Sequence, residues 1–100
     1  MNIIILNINY EILKNVSFVD YHILLDLLED NEEPSCDFGI FVSSKGDSDF
    51  QSENLIQFGD LVLSLNDEDL LESTAAQLKV LINNLDGKRN HQLTLGRKDS

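Results

Sequence analysis

The sequence of 100 residues is poor in cysteine, base, histidine and long apolar runs, and each shortage excludes something. A single cysteine, Cys36, cannot form a disulfide within the chain, which agrees with a reducing compartment. Seven lysines and arginines stand against eighteen acids, a formal net charge of −11. A field of that sign repels phosphate backbones and anionic lipid, so nucleic acid and direct membrane insertion are not expected. Ile3-Ile4-Ile5-Leu6 is among the longest apolar runs, far short of the roughly 20 residues that span a bilayer. Asn7 and Asn9 break that run, and no basic leader precedes it, so it does not read as a secretory signal and the chain is expected to be cytoplasmic. His22 and His91 are the only histidines, and no Gly-x-Ser-x-Gly occurs, so nucleophilic catalysis has no evident base. Asp47-Ser48-Asp49 opens like a calcium loop, but Ser52 and Phe58 stand where that loop needs glycine and a bidentate glutamate. No cofactor or metal is implied, and an enzyme is not expected.

What the sequence does contain is 42% apolar and 25% charged residues, enough for one domain with a core of its own. Ile3 to Ile8 reads as a first strand, because Ile packs well on a pleated surface. Phe18 to Leu25, after the polar break Lys14-Asn15, reads as a second. Between Asp26 and Asp37 lie six acids, no base and the only proline, Pro34, a solvated loop that like charges should hold extended. Gly39-Ile40-Phe41-Val42 follows as a third strand, and one helical turn is expected around Phe50 to Asn54. In the next strand Leu61, Leu63 and Leu65 alternate with Val62 and Ser64, giving one apolar face. Thr74 with Gln77 three residues on forms a capping-box pattern. Behind it Leu78, Leu81, Ile82 and Leu85 make an amphipathic helical stripe, with Gly87 placed to terminate it near Asp86. His91 to Leu95 is a last strand. Several strands with one well-formed helix before the last describe a small α+β domain covering residues 1–100.

Leu55-Ile56-Gln57-Phe58-Gly59-Asp60-Leu61-Val62-Leu63-Ser64-Leu65-Asn66-Asp67-Glu68-Asp69-Leu70 closely resembles the stretch of PDZ domains in which an apolar turn, Gly-Asp, an apolar strand, Asn and a short Asp-Leu segment precede the second helix. Gly39 to Val42 looks like that family's third strand, and the sixteen residues from Ser43 to Phe58 match its usual spacing to Gly-Asp. The resemblance implies a partly open β-barrel or sandwich of five to six strands, capped by one main helix and one short helix. Asp37-Phe38-Gly39-Ile40 also looks like the family's carboxylate-binding loop, but sixteen residues after Val42 cannot hold the two strands and helix that would then be required. The other register sets that loop at Asn15-Val16-Ser17-Phe18, with Asn15 and Ser17 where the family usually has glycines.

Through the resemblance, the chain is expected to bind an extended, C-terminal peptide by strand addition between strand two and the second helix. Val16, Ser17 and Phe18 would present amides to the carboxylate, Val16, Phe18 and Ile82 would line the pocket for the last side chain, and Lys14 would add attraction. Ala75, at the first helical position, lacks the histidine that reads a hydroxyl in some members, so a hydrophobic-type ligand is implied. Lys79 faces the same groove one turn on, with Leu78 beside it. Asn15, Val19, Asp20, Tyr21 and His22 complete the implied site along the loop and strand two. The plain alternatives are ordinary core packing for Val16, Phe18 and Ile82 and a solvated side chain for Lys79.

Such a domain would be a scaffold, adaptor or signalling module, monomeric in isolation and brought by its partners to membrane-associated complexes or a cell junction. A second reading keeps the fold but gives up carboxylate capture. The domain then binds internal segments or another PDZ domain, or serves as a regulatory domain of a larger enzyme.

Overall fold

The computed structural model describes residues 1–43 and 56–98. In chain order the elements are β1 (Asn2–Asn9), α1 (Tyr10–Asn15), β2 (Phe18–Asp20), α2 (Tyr21–Leu27), β3 (Ile40–Val42), β4 (Leu61–Leu65), β5 (Glu68–Asp69), α3 (Ala75–Asn83) and β6 (Asn90–Arg97). The strands form one antiparallel sheet in the order β1-β6-β4-β3-β2, with β5 folded back on β4, and it ends at β1 on one side and β2 on the other. The α+β class and the strands expected near residues 3–8, 39–42, 61–65 and 91–95 are present. The helical turn expected at residues 50–54 lies outside the described residues.

Strand two is much shorter than expected, for a reason of spacing. Tyr21, Leu24 and Leu28 recur at i, i+3 and i+7, so a helix turns all three onto Phe41 and Leu61, whereas a strand would have split them between two faces. Tyr21 and His22 are therefore helical and do not extend the sheet edge. The polar break at Lys14-Asn15 is likewise the last turn of α1. Asn9 caps that helix, its side-chain oxygen accepting the Ile12 N–H at 2.9 Å. The acidic segment begins inside α2 at Asp26, and a Glu29–Glu32 turn, with Glu32 N–H donating to the Glu29 carbonyl at 2.9 Å, bends what like charge was expected to hold extended.

The apolar face of β4 also differs from simple alternation. A bulge between Val62 and Ser64 shifts the pairing with β6, so Val62 and Leu65 join the main core while Leu61 faces the smaller cluster around Leu24 and Phe41. The capping box of α3 is formed, with Thr74 accepting from Gln77 N–H at 3.2 Å and Gln77 accepting from Thr74 N–H at 2.8 Å. Its helix ends earlier than expected, at Asn83, where the cap residue Asn84 donates to carbonyls of the last turn and no left-handed Gly87 is used. Leu78 and Ile82 are buried and belong to the main core together with Leu13, Val62, Leu93 and Leu95.

Gly59 and Asp60 have distinct tasks. Gly59 takes φ +88, a backbone region side chains rarely adopt, and so turns the chain into β4. Asp60, only 2% exposed, accepts from Arg97 Nε at 3.0 Å, from the second guanidinium nitrogen at 2.8 Å and from Gln57 N–H at 2.9 Å. The side-chain hydrogen bond to Asp60 raises the Arg97 guanidinium above its ordinary value; burial opposes this and the carboxylate charge adds to it. The pair joins the start of β4 to the end of β6.

Candidate functional site

Among the described residues no strand pairs with the outer side of β2, and the alternation of β2 decides what that edge offers. Ser43 N–H donates to the Ser17 carbonyl at 2.8 Å, and Phe18 stands opposite Val42. In an antiparallel ladder the bonded pairs alternate, so Ser17 and Val19 turn their backbone groups to β3 while Phe18 turns its N–H and C=O to the open edge. Asp20 N–H faces the same way, but its carbonyl enters α2 as the N-cap residue. The edge available to an added strand is thus short.

Opposite this edge runs α3. Between them lies a cleft of about 440 Å³ lined by Leu13, Lys14, Asn15, Val16, Ser17, Phe18, Val19, Ser43, Ala75, Ala76, Lys79, Ile82 and Asn83. Among the described residues two lysines and no acid line it, in a chain whose net charge is −11. The acidic segment 29–33 lies against other surfaces than this cleft, along residues 29–32 and beside Phe58 and Arg97.

Three features close the cleft at its ends. Asp20 Oδ1 accepts the Ala75 N–H at 2.8 Å, tying β2 to the first turn of α3. At the other end Val16 N–H donates to the Leu13 carbonyl at 3.2 Å, so this amide already has a partner. Asn15 Nδ2 donates to the Glu11 carbonyl at 2.8 Å, turning that side chain back onto α1. Among the described residues the only non-glycine residues with positive φ are Asn66 and Asp67, so residues 15–18 lack the left-handed position that shapes a nest of converging amides. Lys14 Nζ lies 3.3 Å from Glu11 and 5.6 Å from the Tyr10 ring centroid. Both charged partners are exposed, so the pair holds Lys14 only weakly.

The structure brings Lys14, Asn15, Val16, Ser17, Phe18, Val19, Ala75, Lys79 and Ile82 together around one cleft. Asp20 is at its boundary. Leu78 is fully buried in the core, and Tyr21 packs against Phe41 with ring centroids 6.3 Å apart, away from the lining. His22 is exposed on α2. Leu13, Ser43, Ala76 and Asn83 line the cleft without having been expected. Asn83 follows Ala75 and Lys79 at further steps of four, a signal the sequence did carry, whereas Ser43 is set only by the β2–β3 register. Among the described residues no group of three or more His, Cys, Asp or Glu is placed to hold a metal ion, and no helix is long and apolar enough to cross a membrane.

No protein-family model matches the chain, and neither does any curated protein. Among solved structures, the N-terminal PDZ domain of InaD, crystallised in complex with a NorpA C-terminal peptide, superposes with a TM-score of 0.65 at 23% identity, covering 94% of this chain and 95% of that one. The fold of this chain is therefore that of a PDZ domain.

Proposed function

We propose that this chain, built on the PDZ fold, is a non-catalytic interaction module that holds the last few residues of a partner's C-terminal tail in the cleft between β2 and α3. The observation that carries the reading is the cleft itself, a sheet edge facing a helix, with Lys14 and Lys79 and, among the described residues, no carboxylate in its lining. An incoming strand would bond to the Phe18 backbone and the Asp20 N–H, and an apolar last side chain would rest on Val16, Phe18 and Ile82. The Lys14 and Lys79 ammonium groups would neutralise the terminal carboxylate in place of a full set of loop amides. Because α2 and the Asp20–Ala75 bond end the groove early, recognition is confined to the terminal two or three residues. The InaD domain's own C-terminal peptide ligand is consistent with this reading.

A second reading is favoured by the engaged Val16 N–H and the absence of a left-handed residue at 15–18. In it the cleft accepts an internal segment or another PDZ domain, and no carboxylate is needed.

An NMR titration separates the two. Peptides ending in Val, Leu, Ile or Phe are added to the labelled chain as free acids and as C-terminal amides. Shifts concentrated at residues 13–19 and 75–83, strong with the acids and several-fold weaker with the amides, are expected. Equal shifts with both forms, or silence at millimolar peptide, would overturn the first reading and transfer the conclusion to the second.

A further inference from the structure

At the other end of the sheet, β1 presents an edge of a different kind. It bonds to β6 along one side, and among the described residues no strand runs along the other. Sheets ordinarily protect such an edge with charge, proline, a bulge or brevity. β1 has none of them: eight residues, a register with β6 that does not shift, and neither charge nor proline from Asn2 to Asn9. Its outer face exposes Ile3 and Ile5, at 56% and 62%, while Ile4, Leu6 and Ile8 face the core.

We propose that β1 pairs antiparallel with β1 of a second copy of this chain, about a two-fold axis perpendicular to the sheet. The edge asks for an extended, uncharged strand with aliphatic side chains at alternate positions, and β1 is such a strand. Charge narrows the choice further. A basic partner finds no carboxylate along β1, and a second copy, carrying the same net charge of −11, is repelled least where the facing strips are uncharged. A neutral strip on an acidic molecule is where two copies approach at least electrostatic cost.

Symmetry then sets the register. Around such an axis the same faces of both sheets stay on one side, so odd residues meet odd residues. With Ile4 opposite its own symmetry mate, Ile3 of each copy lies opposite Ile5 of the other, and the four exposed isoleucines form one aliphatic cluster. Eight residues at about 3.4 Å each give an edge of roughly 27 Å, which at a sheet depth of about 10 Å is on the order of 300 Å² per copy. That is below the roughly 1,200 Å² total of stable interfaces, so the association is weak and concentration-dependent. The clefts, at the far ends of the joined sheet, stay open.

Sedimentation velocity on the full chain tests this, from about 20 μM to about 1 mM, where a dissociation constant of high-micromolar order becomes visible. The weight-average mass is expected to rise with concentration from 11.3 kDa towards twice that value. Added salt should favour the rise by screening the repulsion between two acidic chains. Ile5→Lys, a charge on an exposed edge position, should weaken association roughly tenfold. Ile3→Thr, which keeps a β-branched residue, should weaken it less. Unchanged amide spectra for both variants outside β1 show that the fold is intact. In a mixed-isotope sample, intermolecular NOEs should link Ile3 with Ile5. A mass that stays monomeric to millimolar, growth beyond the dimer, or association untouched by Ile5→Lys and Ile3→Thr would each overturn the proposal.

Discussion

The Asp20 carboxylate accepts the Ala75 N–H at 2.8 Å across 55 residues of sequence, and through this one bond the last residue of β2 is joined to the first residue of α3. The two walls of the cleft are thereby fixed relative to each other. The acid also sits at the positive end of a nine-residue helix, where a carboxylate is favoured. Asp20→Ala is expected to lower stability by about 1–2 kcal/mol in chemical denaturation, the range for a charge-assisted bond whose loss strands a helix N–H. Asp20→Asn, which keeps an acceptor, should recover more than half of that. Equal loss in both variants would show that the charge and not the bond is what matters.

The two cleft lysines give a prediction about binding rather than folding. Lys79→Gln should weaken free-acid peptides about three- to tenfold, the scale of one partly solvated charge pair, and leave amidated peptides unchanged. Lys14→Gln should act in the same direction, less strongly where the Glu11 pair already draws the ammonium aside. Isothermal titration at two salt concentrations checks this, since added salt should shrink the wild-type advantage of acid over amide.

Asp60 and Arg97 are expected to behave differently from any surface pair. Asp60→Ala removes the acceptor from a guanidinium that is one-fifth exposed and frees Gln57 N–H, for a loss of about 3 kcal/mol. Arg97→Met leaves a 2%-exposed carboxylate without its cation and should cost at least as much. Because the pair is shielded from solvent, both losses should persist in 0.5 M salt, to within about 0.5 kcal/mol, when followed by urea unfolding.

Gly39 allows a sharp test of the turn into β3. It sits at φ +103, and an added Cβ would lie 2.7 Å from the Leu61 side chain. Gly39→Ala should therefore lose roughly 1–3 kcal/mol in thermal or chemical unfolding, from backbone strain and the displaced leucine together. An unchanged melting temperature would mean that the turn can rearrange freely.

Much of this architecture was legible because its signals are local. Thr74 and Gln77 are three residues apart and each supplies half of the capping box, so the start of α3 could be read directly. The ends of β1, β3 and β6 lie close to where isoleucine, leucine and glycine suggested. The short helices were hidden for a physical reason. In α2 the outward Ile23, Leu25 and Leu27 are as apolar as the inward Leu24, which erases the contrast that marks a helical period and leaves a strand-like run. In α1, Asn9 served equally well as the end of a strand and as a helix cap, and only the Ile12 N–H on its side chain decides between them. The cleft lining was readable wherever it follows helical steps from Ala75. The Asp20–Ala75 and Asp60–Arg97 bonds were not, since nothing in the residues between them records that the two ends meet.

The first and last strands lie side by side, with Asn2 opposite Arg97 and Asn9 opposite Asn90. Any polypeptide leading into residue 2 and out of residue 97 enters and leaves the domain at one point. A pull on both flanks acts across the strands, along the inter-strand bonds, and loads the Asn2–Arg97 rung before any other. The pair would then part rung by rung, like a zipper, at far lower force than shearing all rungs together. The last rung opens beside α1, which supplies Leu13 and Lys14 to the cleft. Tension along the chain would therefore reach the cleft through β1 and α1.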